Sequence, residues 1–390
     1  MELHTKMPLD PSKLARTLVI SRVLEALRAF PDVLEKLNHQ SFLVTGALGY
    51  FGQYVVDVLL GLNDAGLAHI ECVYALDVAQ LGAEPRQRWF LSPNSIVRNF
   101  QHDVRHDIST ELASPRPNHI WHLAGIASPY WYERRPWDTI ACAVDGLRKM
   151  VELSRLFGAR LVFTSSSEVY QTAERVPTPE EYIGAVPSRT KRSCYDISKL
   201  MGETIAWLAA NEGVPSVTTR IFNSFGPGMS EEDRRILPRI ASALVGKRLM
   251  QVYMPAFKPL EHEWDEWAAE PVGIVAPSRT YTPVANTLLG FFLAATRGAS
   301  GAVYNIGLDK PELNVVELIE KTNQLETTTR AGRFLDFEMV PPPANYETEP
   351  LRRCPDITKL RALGFAPCME LDEGLELFFQ WALVTYKGIP

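Results

Sequence analysis

From residue 41 onward, short apolar runs alternate with longer stretches in which apolar residues recur every three or four positions. Ser41–Thr45 reads as a buried strand, and after a glycine-rich turn the pattern becomes an amphipathic helix through Leu60. The same signals return as strands at Cys72–Leu76, near Ile96–Gln101, at His119–Leu123 and at Arg160–Phe163, and as a long helix over Pro136–Phe157. A further helix carries Tyr195, Leu200, Ile205 and Leu208 at helical spacing, and helices are expected at Ile236–Lys247, Val315–Asn323 and Leu371–Tyr386, with a strand at Ala302–Ile306 closing the sheet. Strand and helix in alternation predict an α/β fold around a doubly wound parallel sheet. Residues 10–39 form a helical preface, with Asp10 as N-cap, Pro11 in the first turn and a second start at Pro31. It is expected to pack against the body or a partner subunit. No repeats occur, Val340-Pro341-Pro342-Pro343 marks a loop, and no clean linker separates the parts. The organisation expected is an N-terminal helical extension over 1–40, a nucleotide-binding domain over 41–222, and a smaller α/β substrate lobe mainly over 223–390, interleaved with the sheet.

Composition narrows the class. The 390 residues are 46% apolar and 22% charged, ordinary for a soluble protein, and no apolar run approaches the length of a membrane span. The first ten residues lack the apolar core of a secretory signal, so a cytoplasmic protein is expected. Five scattered cysteines without C-x-x-C spacing argue against disulfides and a metal site. A formal charge of -6 speaks against a nucleic-acid groove while leaving room for a local arginine cluster around a diphosphate. The ligand expected is small.

The turn after the first strand, Gly46-Ala47-Leu48-Gly49-Tyr50-Phe51-Gly52, gives the chemistry its first foothold. Glycines let a backbone approach a pyrophosphate, and the free N–H groups at the helix start, at Tyr50 and Phe51, hold the anion. This makes the sheet Rossmann-type. The second strand ends at Asp77, where an acid accepts both ribose hydroxyls and repels a 2′-phosphate, favouring NAD over NADP; the alternative is a plain turn acid. Asp103 follows the third strand as an adenine contact, and Leu123-Ala124 follow the fourth, where small residues let a cofactor lie flat. His122, alone in an apolar strand, reads as a core residue.

Tyr195 and Lys199 stand four residues apart, on one face of a helix. A free tyrosine has a pKa of about 10 and is a poor base at neutrality. An ammonium about 4 Å away, at an effective dielectric of about 20, attracts the phenolate by roughly 4 kcal/mol, or about three pKa units, and would bring it into use. Just upstream, the fifth strand opens into Thr164-Ser165-Ser166-Ser167-Glu168-Val169-Tyr170, hydroxyls and a carboxylate where ligands of such sheets bind.

With these residues the chain resembles the extended branch of the short-chain dehydrogenase/reductase superfamily, whose members modify nucleotide sugars on tightly held NAD. The resemblance runs over about Ser41–Leu383. Within it the chain is most similar to the UDP-glucuronate decarboxylases (UDP-xylose synthases), through His102-Asp103-Val104, Trp121-His122-Leu123-Ala124, Ser166-Ser167-Glu168-Val169-Tyr170, Arg192-Ser193-Cys194-Tyr195-Asp196, Arg220-Ile221-Phe222-Asn223-Ser224-Phe225-Gly226-Pro227 and Arg353-Cys354-Pro355-Asp356-Ile357. The resemblance implies Tyr195 as the base at the C4 hydroxyl, Lys199 as its electrostatic partner and nicotinamide-ribose anchor, Ser166 as a hydroxyl on the same oxygen, and Glu168 as an acid/base beside C5. It implies Gly46, Gly49, Gly52 and Asp77 at the pyrophosphate and ribose, and Asn223 and Arg279 at the nucleotide-sugar diphosphate. Arg353 is either a further diphosphate contact or a surface arginine paired with Arg352. A homodimer is implied as well. Ser167 stands where 4,6-dehydratases have an aspartate, which favours a uronic acid substrate by sparing its carboxylate a like charge. Dehydration, 4-epimerisation and a non-catalytic NAD-binding module are the alternatives. The chain departs from the pattern at Ala143, where asparagine is usual, at Gln171, where glycine is usual, and at Tyr281–Asn286; an insertion at Phe257–Pro277 is either a surface lobe or a lid.

Overall fold

In β1 (Gln40–Thr45) every residue after the first is buried, as in a strand covered on both faces. It is the centre of the structure, a computed structural model that describes residues 11–79, 96–108, 114–253, 277–341, 350 and 352–389. The remaining strands are β2 (Ile70–Asp77), β3 (Val97–Gln101), β4 (His119–His122), β5 (Arg160–Ser166), β6 (Ser216–Ile221), β7 (Ser224–Phe225), β8 (Met250–Tyr253), β9 (Ser278–Thr280), β10 (Thr282–Pro283), β11 (Ala302–Ile306), β12 (Glu312–Asn314), β13 (Phe337–Val340) and β14 (Arg352–Arg353). The helices are α1 (Pro11–Leu27), α2 (Pro31–Leu37), α3 (Tyr50–Asp64), α4 (Pro129–Tyr132), α5 (Pro136–Ala141), α6 (Leu147–Phe157), α7 (Ser193–Asn211), α8 (Ile236–Gly246), α9 (Val284–Arg297), α10 (Val315–Gln324), α11 (Glu326–Arg330), α12 (Thr358–Ala362) and α13 (Leu371–Thr385).

Seven strands form one sheet in the order β3-β2-β1-β4-β5-β6-β11, every neighbouring pair parallel. The period-two alternation divides their side chains between two cores. Leu43, Ile120, Leu161 and Phe163 join Met150 and Leu153 of α6 and Ala206 and Ala209 of α7. Phe42, Val44, Trp121 and Val162 join Tyr54 and Val55 of α3 and Phe291 and Phe292 of α9. The strand order reverses between β1 and β4, and a ligand of such a sheet sits at the carboxyl ends there. Among the described residues no helix is long and apolar enough to cross a membrane.

Two departures from the pattern reading have local causes. β5 runs three residues past Phe163, to Ser166, because its hydroxyls find partners: Thr164 Oγ1 donates to the His122 carbonyl at 3.1 Å and Ser165 Oγ to Glu203 at 2.5 Å. The helix expected over Pro136–Phe157 contains a π turn at Cys142–Gly146, where the Cys142 carbonyl lies 3.3 Å from His122 Nε2. His122 itself is fully buried between that carbonyl and Thr45 Oγ1, with its pKa pushed down to about 3 by burial first and Lys199 second, so it is a core residue.

The preface packs on the body. Ala15, Val19, Val23 and Leu27 form a buried stripe on α1, which lies against α3, α9 and α13. Asp10, and the Phe257–Pro277 insertion apart from Pro277, lie outside the described residues. A separate small sheet has the order β12-β9-β14, and its register sets Arg353 beside Arg279.

Candidate functional site

β1 passes into α3 through the glycine turn, and each glycine there answers a steric demand. Gly46 has φ of 65°, and a Cβ on it would lie 2.7 Å from the Ala124 amide nitrogen; a Cβ on Gly52 would lie 2.0 Å from the Gly46 carbonyl oxygen. Gly49 is the N-cap of α3 and supplies no side-chain cap, so the N–H groups of Tyr50, Phe51 and Gly52 have no partner inside the helix. The rings of Tyr50 and Phe51 turn inward, onto Tyr54 and Phe291, so these residues offer a ligand their backbone. Asp77 Oδ2 accepts from the Leu48 N–H at 2.9 Å and Oδ1 from the Ala79 N–H at 3.0 Å. One bond on each oxygen leaves lone pairs for a ribose. Leu123 and Ala124 donate to the Thr45 carbonyl and Oγ1, holding the β4 exit against the turn. Asp103 is differently engaged: its carboxylate is gripped by Arg105 at 2.5 Å, and Arg105 also reaches Asp138 on α5, so this acid ties a loop to a helix.

At the end of β5 the structure brings Ser166, Glu168, Tyr195 and Lys199 together. Tyr195 is buried on the first turn of α7, its ring stacked on Tyr132 at 5.1 Å and 11°. Its pKa is pushed up to about 12 by burial, with the Ser166 hydroxyl pulling it down, Glu168 raising it and Arg235 lowering it. This corrects the expectation that Lys199 brings the phenol toward neutrality. Lys199 donates to the Thr164 carbonyl at 2.7 Å and lies 5.9 Å from the Tyr195 ring centroid; burial lowers its own pKa to about 8. Spacing set the face the two share, and the β5 carbonyl set where the ammonium points.

Glu168 sits in the short 3₁₀ turn Ser167–Tyr170, whose N-cap Ser166 accepts from the Glu168 N–H at 3.2 Å. Its carboxylate is paired with Arg192 on one oxygen and Arg353 on the other. Burial raises its pKa, but Arg353, Arg192 and then Arg279 outweigh it and hold the carboxyl below its ordinary value. Arg353 is only 7% exposed, so it is no surface arginine; the exposed member of the pair is Arg352, bound to Glu312. Arg279 donates to the carbonyls of Ser278 and Pro350 at 2.8 and 2.7 Å. Asn223, at φ of 37°, donates its amide to the Thr280 carbonyl at 3.0 Å, joining the end of β6 to β9. Ser167 is buried in the turn.

Residues 42–307 match the model of the "NAD dependent epimerase/dehydratase family". The chain belongs to that family. Its cofactor is NAD, and the glycine cradle, where any Cβ would strike backbone, fits a dinucleotide held by main-chain N–H groups. The family member is 30% identical to UDP-glucuronic acid decarboxylase 5 of Arabidopsis thaliana, over 90% of this chain and 92% of the relative. Its fold is similar to that of a UDP-glucose 4-epimerase from Stenotrophomonas maltophila, at a TM-score of 0.72 and 20% identity over 90% of this chain and all of the other. A dTDP-glucose 4,6-dehydratase from Streptomyces venezuelae has a similar fold at a TM-score of 0.68 and 20% identity, covering 87% and 96%.

Several residues around this epimerase/dehydratase site escape a reading by spacing. Tyr132 reaches Tyr195 from α4, and Arg235 acts on the same phenol from the start of α8. Arg192 lies 24 positions from Glu168 and meets it only when the 3₁₀ turn packs against the start of α7. Asp196 was visible beside Tyr195, but not that burial and the charge of Glu168 push its pKa up to about 6 against Arg192, Gln171 and Arg353.

Proposed function

We propose that the protein is a nucleotide-sugar decarboxylase that oxidises C4 of UDP-glucuronate, releases carbon dioxide from C5 and re-reduces the product to UDP-xylose. The observation that carries this reading is the Glu168 carboxylate, partly buried beside Ser166 and Tyr195 and held ionised between Arg192 and Arg353. The similarity to a UDP-glucuronic acid decarboxylase over nine-tenths of the chain supports it. Residues 41–222 would then hold the dinucleotide, through Gly46, Gly49, Gly52 and Asp77, and residues 223–390 mainly the nucleotide sugar, through Asn223 and Arg279.

When bound, NAD supplies the acceptor and later the donor of the C4 hydride, and in its oxidised form a positive charge. Tyr195 takes the C4 hydroxyl proton, with Ser166 hydrogen-bonding the same oxygen. The ligand-free phenol, at about 12, is protonated at neutral pH, so substrate and cofactor must favour its ionised form; Ser166 and Arg235 already act in that direction. Lys199, buried and bonded to the Thr164 carbonyl, would hold the ribose side. A ketone at C4 makes the C5 carboxylate a β-keto acid, which loses carbon dioxide readily while Ser166 and Tyr195 hold the charge on the C4 oxygen. The C5 carbon left by carbon dioxide takes a proton from solvent water to give the 4-keto pentose; with the hydride back on C4, Tyr195 returns its proton to the C4 oxygen, so the cycle is redox-neutral.

The rival reactions use the same skeleton. A 4,6-dehydratase needs an acid to protonate the leaving C6 hydroxyl, and a carboxyl kept below its ordinary value by two arginines is a poor donor. A non-catalytic NAD-binding module would have no use for the Glu168 cluster. The test is incubation of the purified protein with UDP-glucuronate, UDP-glucose and dTDP-glucose, read by mass spectrometry. Loss of carbon dioxide from the uronic acid alone is the expected outcome; loss of water from a neutral hexose would replace this reading with dehydration, a change at C4 without change of mass, seen by proton NMR, would replace it with epimerisation, and no change of any by either readout with bound NAD would promote the module.

A further inference from the structure

Gln171 is a turn residue at the site whose backbone works against its side-chain type. It stands at φ of 50° and ψ of -132°, a region glycine enters freely and a residue with a Cβ does not. Its backbone N–H donates to the Glu168 carbonyl at 3.1 Å. Its carboxamide nitrogen donates twice, to the same carbonyl at 2.9 Å and to Asp196 Oδ2 at 2.7 Å. The amide therefore spans from the turn that carries Ser166 and Glu168 to the first turn of the helix that carries Tyr195.

The acceptor at the far end is unusual. Asp196 is 1% exposed, and its Oδ1 has no hydrogen-bond partner. Oδ2 has Gln171 and, at 3.8 Å, Arg192 Nε. Around the carboxylate stand Glu168 of the 3₁₀ turn, Arg353 of β14, Tyr132 of α4, and Arg192, Cys194 and Tyr195 of its own helix. Two like charges, Glu168 and Asp196, thus share Arg192, and a neutral donor on Asp196 keeps its charged form in place without competing for the guanidinium.

We infer that Gln171 is a positioning residue for this site: a side chain accepted in a glycine conformation because its amide locks the Ser166–Glu168 turn to the Tyr195 helix. This rests on the assignment of Ser166, Glu168 and Tyr195 as the reacting groups. The clamp acts through Asp196. With the amide bond gone, the ionised form of Asp196 loses a donor and its proton affinity rises; once protonated it no longer shares Arg192 with Glu168, and the helix and turn are held by one link fewer.

Two substitutions separate the clamp from its backbone demand. Gln171→Gly removes the amide and frees the backbone, whereas Gln171→Ala removes the amide and keeps the demand, so the glycine variant should melt higher than the alanine one. In Gln171→Gly, a carboxyl-carbon NMR titration of Asp196 should show its midpoint rise by about one unit, a tenfold gain in proton affinity. Turnover at pH 6 should fall about fivefold, the acid limb of the kcat profile should move up with the Asp196 midpoint, and KM should stay within about twofold. An unchanged Asp196 midpoint or an unchanged acid limb overturns the clamp. Tyr195→Phe is assayed in parallel: if it turns over, the assignment of the reacting groups falls; if it is dead while Gln171→Gly behaves as wild type, only the clamp falls.

Discussion

At the scale of single residues the site is governed by burial. Tyr195 is covered by Tyr132 on one face, and desolvation moves its phenol in the direction opposite to that expected from a nearby lysine. The i, i+4 spacing was a sound guide to which side of the helix the pair shares, but a flexible ammonium follows the best acceptor within reach, and β5 offers the Thr164 carbonyl. On the proposed reading the phenolic oxygen is nonetheless the group that exchanges a proton with the C4 hydroxyl. Tyr195→Phe is therefore expected to lower kcat by about a hundredfold or more while the fold and the bound NAD are kept, since only the hydroxyl is lost. Cofactor content after denaturation and turnover of the uronic acid read the two effects separately; more than about a tenth of the wild-type rate would remove Tyr195 from the role of base.

At the scale of elements, α1 shows how an added helix can be anchored by a charge as well as by an apolar stripe. Arg16 bonds Asp57 of α3 at 2.6 Å and lies 4.1 Å from the centre of the Tyr54 ring, both partners almost wholly buried. Burial raises the Asp57 pKa and Arg16 opposes it. Removing one partner of a buried pair leaves an uncompensated charge, so Arg16→Met should destabilise by about 3 kcal/mol at pH 8. The sign of its pH dependence follows from linkage: without Arg16 the Asp57 pKa in the folded state rises further above its unfolded value, the folded state binds the extra proton, and stability falls as pH rises. The loss should be smaller at pH 5 than at pH 8 by denaturant titration. An equal loss at both would mean that Arg16 contributes packing against Tyr54 and not charge.

At the scale of the whole molecule, the outer face of α7 is apolar where a surface helix is usually polar. Leu200, Met201, Trp207 and Leu208 are exposed along it, and Trp137, 82% exposed, and Ile140 project from α5, which packs against α7. We propose that a second copy of this chain covers the face, in a two-fold homodimer that would also brace the helix carrying Tyr195. Light scattering of the eluted protein should give twice the chain mass, and Met201→Glu with Leu208→Glu should give a monomer. A monomeric wild type at micromolar concentration would end this reading.

What the sequence determined by itself is what local periodicity and steric need can encode. Runs such as Phe42-Leu43-Val44 specify a strand buried on both faces, and the spacing of Gly46, Gly49 and Gly52 specifies a turn in which a Cβ on Gly46 or Gly52 would strike backbone, so the Rossmann-type sheet and its tight first turn were legible. That Tyr195, Lys199 and Ser166 come together was legible because the segments that carry them are short. What only the tertiary structure decided is whatever depends on groups far apart in the chain. Arg353 reads equally well as a surface residue until β14 pairs with β9 and turns it onto Glu168, 185 positions away. Asp103 reads as a lone acid after β3 until Arg105, which also reaches Asp138, pairs with it. The Tyr195 pKa cannot be read from the spacing of Lys199, because desolvation depends on every atom that packs around the phenol, and those atoms come from α4, β5 and α8 as well as from its own helix.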